Sequence, residues 1–217
     1  IGTSLAKIAT RGMLGQKLTE IGLAEYQKTD YIAVKEAVFP FIKFPGVDII
    51  LGPEMKSTGE VMGIDESFGM AFAKAQMGAG ASLPLAGNVL ITVNDRHKQD
   101  VLPIAKRFKK QGFSLVATKG TSEFLRNHGL EVKMVYKIGK GRPDILDYMK
   151  NNEIQFLINS PEGKGALYDE VKMRRQALLK NIPLATTIQG AQAAIEGIEQ
   201  MNANKLNVRS LQEYHLE

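Results

Sequence analysis

Asn88-Val89-Leu90-Ile91-Thr92-Val93 and Phe113-Ser114-Leu115-Val116-Ala117-Thr118 are two short, continuous apolar runs rich in β-formers. Between them Val101, Ile104, Ala105 and Phe108 recur at helical spacing, and Gly112 closes the helix. Pro103 is tolerated only near a first turn, so this helix starts no earlier than about Lys98. The same alternation continues downstream. Thr121–His128 reads as a helix stopped by Gly129, Val132–Tyr136 as a strand, and Pro143–Asn151 as a short helix. Ile154–Asn159 is a fourth strand, Gly165–Lys180 a long helix and Pro183–Thr186 a fifth, short strand. Ala191, Ala194, Ile195, Ile198 and Met201 mark a final helix, and Val208–Leu211 reads as one more strand. Strands alternating with helices at this spacing imply βαβ crossovers and a parallel sheet. Continuous rather than alternating apolar strands imply helices on both faces.

Upstream the pattern is less regular. Met77–Gly87 strings together small residues, one proline and Gly78, Gly80 and Gly87, and reads as a linker with little to bury. Before it, Leu5, Ile8, Ala9 and Met13 form a helical stripe, and Ser67–Met77 reads as a second helix. Tyr31–Val34 and Val38–Phe44 look extended, though Pro40 and Pro45 remove ladder donors, and Phe44–Asp48 reads as a turn. About 80 residues with so few elements close a core only marginally. Their apolar side chains are expected to pack on something outside this sequence, while Met55 and Met62 fill core gaps. The chain begins with Ile1 in sequence typical of a protein's interior, so it reads as a fragment.

Composition narrows the possible roles. The 217 residues carry a formal net charge of +5, which favours anionic ligands. Lys and Arg are nowhere dense enough for a nucleic-acid groove. The absence of cysteine excludes disulfides and thiolate metal sites and fits a cytoplasmic location. No apolar run approaches the roughly 18 to 20 residues a bilayer span requires, and no signal-peptide pattern opens the chain. His97, His128 and His215 lack metal-ligand spacing, and His97 reads as a solvated loop residue.

In open parallel sheets ligands bind beyond the carboxyl ends of the strands. Those ends carry hydroxyls, glycines and cations. In Thr118-Lys119-Gly120-Thr121, Gly120 allows close backbone approach, two threonines offer hydroxyls, and the following helix offers unpaired N–H groups. Lys98 and Lys137 can add opposing charge from neighbouring strand ends. The corner therefore suits a phosphate, although a Thr-x-Gly-Thr turn also serves as a plain helix cap and Lys98 alone is an ordinary surface lysine. No nucleophile motif and no GxxxxGK[ST] loop is present, and Gly139-Lys140-Gly141-Arg142 lacks the spacing of one.

Three strings carry a family resemblance: Val34-Lys35-Glu36-Ala37-Val38-Phe39-Pro40-Phe41, Lys43-Phe44-Pro45-Gly46-Val47-Asp48 and Leu51 through Gly63. They resemble the end of a synthetase half of the carbamoyl phosphate synthase large subunit. The remainder resembles that family's C-terminal regulatory domain, of methylglyoxal-synthase-like fold. The signals are Lys110-Gln111-Gly112-Phe113, the Thr118–Thr121 turn, Lys137 with Gly141-Arg142-Pro143, Asn159, and Arg174-Arg175. The resemblance implies residues 1–82 as a mainly helical tail of the second ATP-grasp half. Residues 83–217 are then an α/β allosteric domain with a parallel, Rossmann- or flavodoxin-like sheet.

The resemblance also implies ligands and partners. The regulatory domain would bind a nucleotide monophosphate, UMP or IMP, through Lys98, Thr118, Gly120, Thr121, Lys137 and Asn159. Pro161 stands where the family has a hydroxyl residue, which puts affinity or nucleotide choice in question. Ornithine would be held by Glu36 and Thr186. The parent enzyme would use ATP with Mg or Mn upstream, so the segment itself would hold neither metal nor catalytic residue. The intact enzyme would include the upstream large chain and a small glutamine amidotransferase subunit, would sit in the cytoplasm, and would contact neither nucleic acid nor membrane. A homo-oligomer is compatible with this reading. Two alternatives stay open: a methylglyoxal synthase-type enzyme, though its Gly-Gly-Asp turn is missing, and a stand-alone nucleotide-sensing module.

Overall fold

The computed structural model describes residues 4–22, 29–38, 59–160 and 164–215, with backbone alone for 164–168 and 215. Phe39–Phe44, the Phe44–Asp48 turn, Met55 and Pro161 lie outside the described residues.

Five strands form one parallel sheet: β3 (Asn88–Val93), β4 (Ser114–Thr118), β5 (Val132–Val135), β6 (Phe156–Ser160) and β7 (Leu184–Ala185), in the order β5-β4-β3-β6-β7. The period of two along each strand sorts the side chains to two faces. Val89, Ile91, Leu115, Ala117, Phe156 and Ile158 pack with α3 (Lys98–Lys110), α4 (Lys119–Asn127) and α7 (Ile188–Ala203). Leu90, Val116, Val135 and Leu157 pack on the other face with α5 (Ile145–Lys150) and α6 (Lys164–Leu179). Both faces are covered, which is why the strands read as continuous apolar runs. Phe108 anchors the first layer, edge-on to Phe113 and stacked on Phe156, with centroids 5.3 and 5.5 Å away.

Apart from Val38–Phe44 and the Phe44–Asp48 turn, which reach outside the described residues, the expected elements form with ends shifted by a few residues, except at the C-terminus. Residues 205–210 carry no secondary structure and α8 spans Leu211–His215, so no strand occupies Val208–Leu211. The reason is local. Ser210 Oγ accepts from Glu213 N at 3.3 Å, and a Glu213 carboxylate oxygen accepts from Ser210 N at 2.6 Å, a reciprocal cap that starts a helix.

The N-terminal section combines helix and strand among its described residues. Besides α1 (Leu5–Met13) and α2 (Phe68–Gly78) it contains an antiparallel pair, β1 (Ile32–Val38) and β2 (Gly59–Asp65), in register from Ile32 opposite Asp65 to Val38 opposite Gly59. β-branched residues on both strands sustain the ladder. Gly63 lets β2 lie directly on α2, since a Cβ there would stand 2.0 Å from the Ala71 carbonyl oxygen. Ser67 caps α2, accepting from Met70 N. The stripe of α1 is unburied among the described residues. Met62 fills no core gap: it is 54 % exposed on the outer side of the pair. The linker does bury something, because Leu83 sits in the first core layer beside Ala73 of α2. At the far end Tyr214 returns to this section, donating to the Ile64 carbonyl at 3.1 Å and meeting the Tyr31 ring edge-on.

Candidate functional site

The strand order places a switch point between β3 and β6: the chain runs outward from β3 through β4 to β5, then returns to lay β6 on the other flank of β3. The two connections leave in opposite directions, which opens a crevice at the carboxyl ends. The Thr118–Thr121 turn borders it. Thr118 is 3 % exposed and occupies the N-cap position of α4, yet its hydroxyl caps nothing. The plain-cap reading of this turn therefore fails, and the first amides of α4 stay available to an anion. Thr121 is buried behind it, its hydroxyl 3.5 Å from the Val93 carbonyl. Gly120 has an ordinary helical backbone, so its use is space: a Cβ there would stand 3.3 Å from Lys98 Nζ.

Lys98 opens α3 and leans over that turn. Its ammonium pairs with Asp95 at 2.7 Å, with its side chain only 20 % exposed, so it is no free surface lysine. Asp95 is exposed, and its carboxyl is held below the usual range by hydrogen bond and charge from Lys98, with a smaller contribution from Lys137. Both cations thus favour the ionised Asp95, Lys98 by direct contact and Lys137 by charge alone. The Lys137 loop is organised by Asp144, a buried residue that sequence reasoning passed over. Asp144 accepts from Leu146 N, Asp147 N and Gly139 N, while Asp147 accepts from Asp144 N. The Asp-x-x-Asp spacing is a capping-box signal and was there to be read.

Asn159, near the end of β6 opposite Thr92, is 1 % exposed, and neither its Nδ2 nor its Oδ1 has a hydrogen-bond partner among the described residues. A buried carboxamide left unpaired at both ends costs on the order of 1–3 kcal/mol per group, which a polar ligand would recover. Beside it, His97 is more than a solvated loop residue: its Nδ1 lies 2.6 Å from Ser160 Oγ. The arrangement joins cations, free helix amides and an unpaired amide, which suits an anion attached to a hydrogen-bonding group. Among the described residues no cluster of His, Asp or Glu could hold a metal ion, and no helix is long and apolar enough to cross a membrane.

Residues 100–186 match the family described as "MGS-like domain".

Residues 100–186 are an MGS-like domain.

The similarity extends beyond the MGS-like domain to the whole chain. A "Carbamoyl phosphate synthase large chain" of Archaeoglobus fulgidus is 49 % identical over 217 residues, covering 100 % of this chain and 20 % of the relative. That of Synechocystis sp. is 47 % identical over 214 residues, 98 % of this chain and 20 % of the relative. The "Carbamoyl phosphate synthase large chain, C-terminal section" of Methanopyrus kandleri is 47 % identical over 221 residues, 99 % of this chain and 41 % of the relative. The chain is homologous to carbamoyl phosphate synthase large chains over its full length and spans about a fifth of the length of the large chains it matches.

The second expected site is more scattered. Glu36 lies on β1, half-buried; burial raises its carboxyl above the ordinary range, against a lowering hydrogen bond from Gln76 of α2. Thr186 lies exposed just past β7, on the MGS-like domain. Among the described residues nothing joins the two.

Proposed function

We propose that this chain is the effector-sensing segment of a carbamoyl phosphate synthase large chain, and that its MGS-like domain binds a nucleoside monophosphate, UMP or IMP. The buried, unpartnered Asn159 carboxamide at the switch point carries the reading. The phosphate lies at the N-terminus of α4, against Thr118, Gly120 and Thr121, where Lys98 and Lys137 balance its charge. Asn159 receives a polar group of the nucleotide. Bound phosphate draws Lys98 away from Asp95, so binding and the β3–α3 connection are linked.

Carbamoyl phosphate is made elsewhere in the parent enzyme, from bicarbonate, ammonia derived from glutamine on a small amidotransferase subunit, and two ATP with Mg or Mn. The segment modulates that reaction and contributes no catalytic residue. Residues 1–82 belong to the second synthetase half and residues 83–217 to the allosteric domain. Glu36, whose carboxyl is poorly solvated, would pair with the ammonium of ornithine and Thr186 with its amino-acid end. The protein works in the cytoplasm, and self-association is compatible with this role. Effector and catalytic half communicate through a differential binding energy, typically about 1 to 3 kcal/mol.

Calorimetric titration of the full-length protein with UMP and with IMP tests this. Saturable heat with one of them, lost in Lys137→Ala, is the expected result. No heat with either overturns the reading. Phosphate release from dihydroxyacetone phosphate, the reaction of a methylglyoxal synthase, should be absent.

A further inference from the structure

Three hydrogen bonds cross the switch point between the β3–α3 connection and the end of β6. Asn94 N donates to the Ser160 carbonyl at 2.9 Å, Asn94 Nδ2 donates to the same oxygen at 3.1 Å, and His97 Nδ1 meets Ser160 Oγ at 2.6 Å. Asn94 also braces the imidazole. Its Oδ1 accepts from His97 N at 3.1 Å, so its amide nitrogen is the end that faces His97 Nδ1, at 3.3 Å. The third bond joins the imidazole nitrogen to the hydroxyl, the tautomer of His97 setting which of the two donates. Ser160 is buried, and its hydroxyl has this imidazole as its partner.

Each end of this bond adjoins a group of the anion site. His97 directly precedes Lys98 and Ser160 directly follows Asn159. The imidazole therefore ties the residue that starts α3 to the end of β6, fixing where the Lys98 ammonium and the Asn159 carboxamide stand relative to each other. Groups held in place before binding lose less freedom on binding.

We infer that the His97–Ser160 hydrogen bond is a positioning latch that sets the separation of Lys98 and Asn159, and with it the affinity for a ligand that must touch both. The inference rests on the nucleotide reading above. His97 and Ser160 are positioning residues and need not touch the ligand themselves. The latch requires a hydroxyl at 160 and a hydrogen-bonding group where Nδ1 stands. Asparagine places its carboxamide at that position; glutamine reaches past it.

Titration of full-length protein with UMP and IMP tests the latch. Ser160→Ala, His97→Ala and His97→Gln should each weaken binding roughly five- to tenfold, about one hydrogen bond's worth. The double variant Ser160→Ala/His97→Ala should be no weaker than either single one. Ser160→Thr and His97→Asn should bind within about twofold of the parent, a pattern that a general packing role would not produce. Parent-like binding by the alanine variants overturns the latch alone. So does equal loss in His97→Asn and His97→Gln. A parent protein that takes up neither nucleotide overturns the nucleotide reading and the latch together.

Discussion

Gly69 and Gly197 meet backbone to backbone where α2 crosses α7: a Cβ on Gly197 would stand 3.1 Å from the Gly69 carbonyl oxygen and 2.9 Å from Leu83. A Cβ on Gly69 would stand 2.6 Å from the Glu196 carbonyl oxygen. At this crossing α2 and α7 thus come within backbone contact, with no room for a Cβ on either glycine. Gly197→Ala should cost about 1–3 kcal/mol in denaturant unfolding, as overpacking does. An unchanged midpoint would show that the helices can separate freely.

Asn159 sets stability against binding. Replacing it with leucine, close in size, removes a buried amide that has no partner. Asn159→Leu should stabilise the unliganded protein by about 1 kcal/mol and abolish nucleotide uptake. Thermal melting with and without UMP reads both. A lower melting point with intact binding would contradict the site.

Gly120→Ala separates folding from binding in another way. The backbone there is helical, and among the described residues the near neighbour of a new Cβ is the flexible end of Lys98. The helix should gain up to about 1 kcal/mol. Nucleotide affinity should fall on the order of tenfold, because the ammonium is displaced from the phosphate. Calorimetry and melting on the same preparation decide it.

Asp144 accepts three backbone bonds, one from Gly139 of the Lys137 loop and two from the first turn of α5. Asp144→Ala should destabilise by about 1–2 kcal/mol, as cap losses do. It should also weaken the nucleotide more than Lys140→Ala, a neighbouring charge change that leaves the loop's anchor in place. Equal affinities in the two variants would remove Asp144 from the site's support.

Arg107 and Glu199 form a two-point pair between α3 and α7, at 2.9 and 2.7 Å. The Arg107 hydrogen bond holds the Glu199 carboxyl below its ordinary value of 4.5, against the opposing effect of burial. A carboxyl depressed in the folded state contributes its stabilisation in full above the ordinary value and loses it as pH falls through the folded one. Glu199→Gln should therefore cost about 0.5–1 kcal/mol at pH 7, and less and less below pH 4.5. Denaturant midpoints across that range check the sign; a gap that widens toward acid would refute it.

The α/β class, the parallel sheet and the Thr118–Thr121 corner were legible because each is written in neighbouring residues. The apolar runs of β3, β4 and β6 and the spacing of Val101, Ile104, Ala105 and Phe108 report local periodicity, and burial on both faces keeps that signal strong. The Val208–Leu211 reading failed because β-propensity was set against a cap that begins at Ser210, and the cap won. Met62 was misplaced because an apolar residue on a two-stranded pair does not reveal which face is covered.

By itself, then, the chain's residue order determined which segments are strands and helices, and which loops carry hydroxyls, glycines and cations. Only the tertiary structure decided that β6 lies beside β3, so that His97 meets Ser160 and Asn159 is sealed without a partner. It also decided that Gly69 faces Gly197. The physical reason is that hydrogen bonds and close contacts between distant residues depend on strand order and helix packing. Those are settled by the burial of both sheet faces together, and no local stretch of sequence encodes them alone.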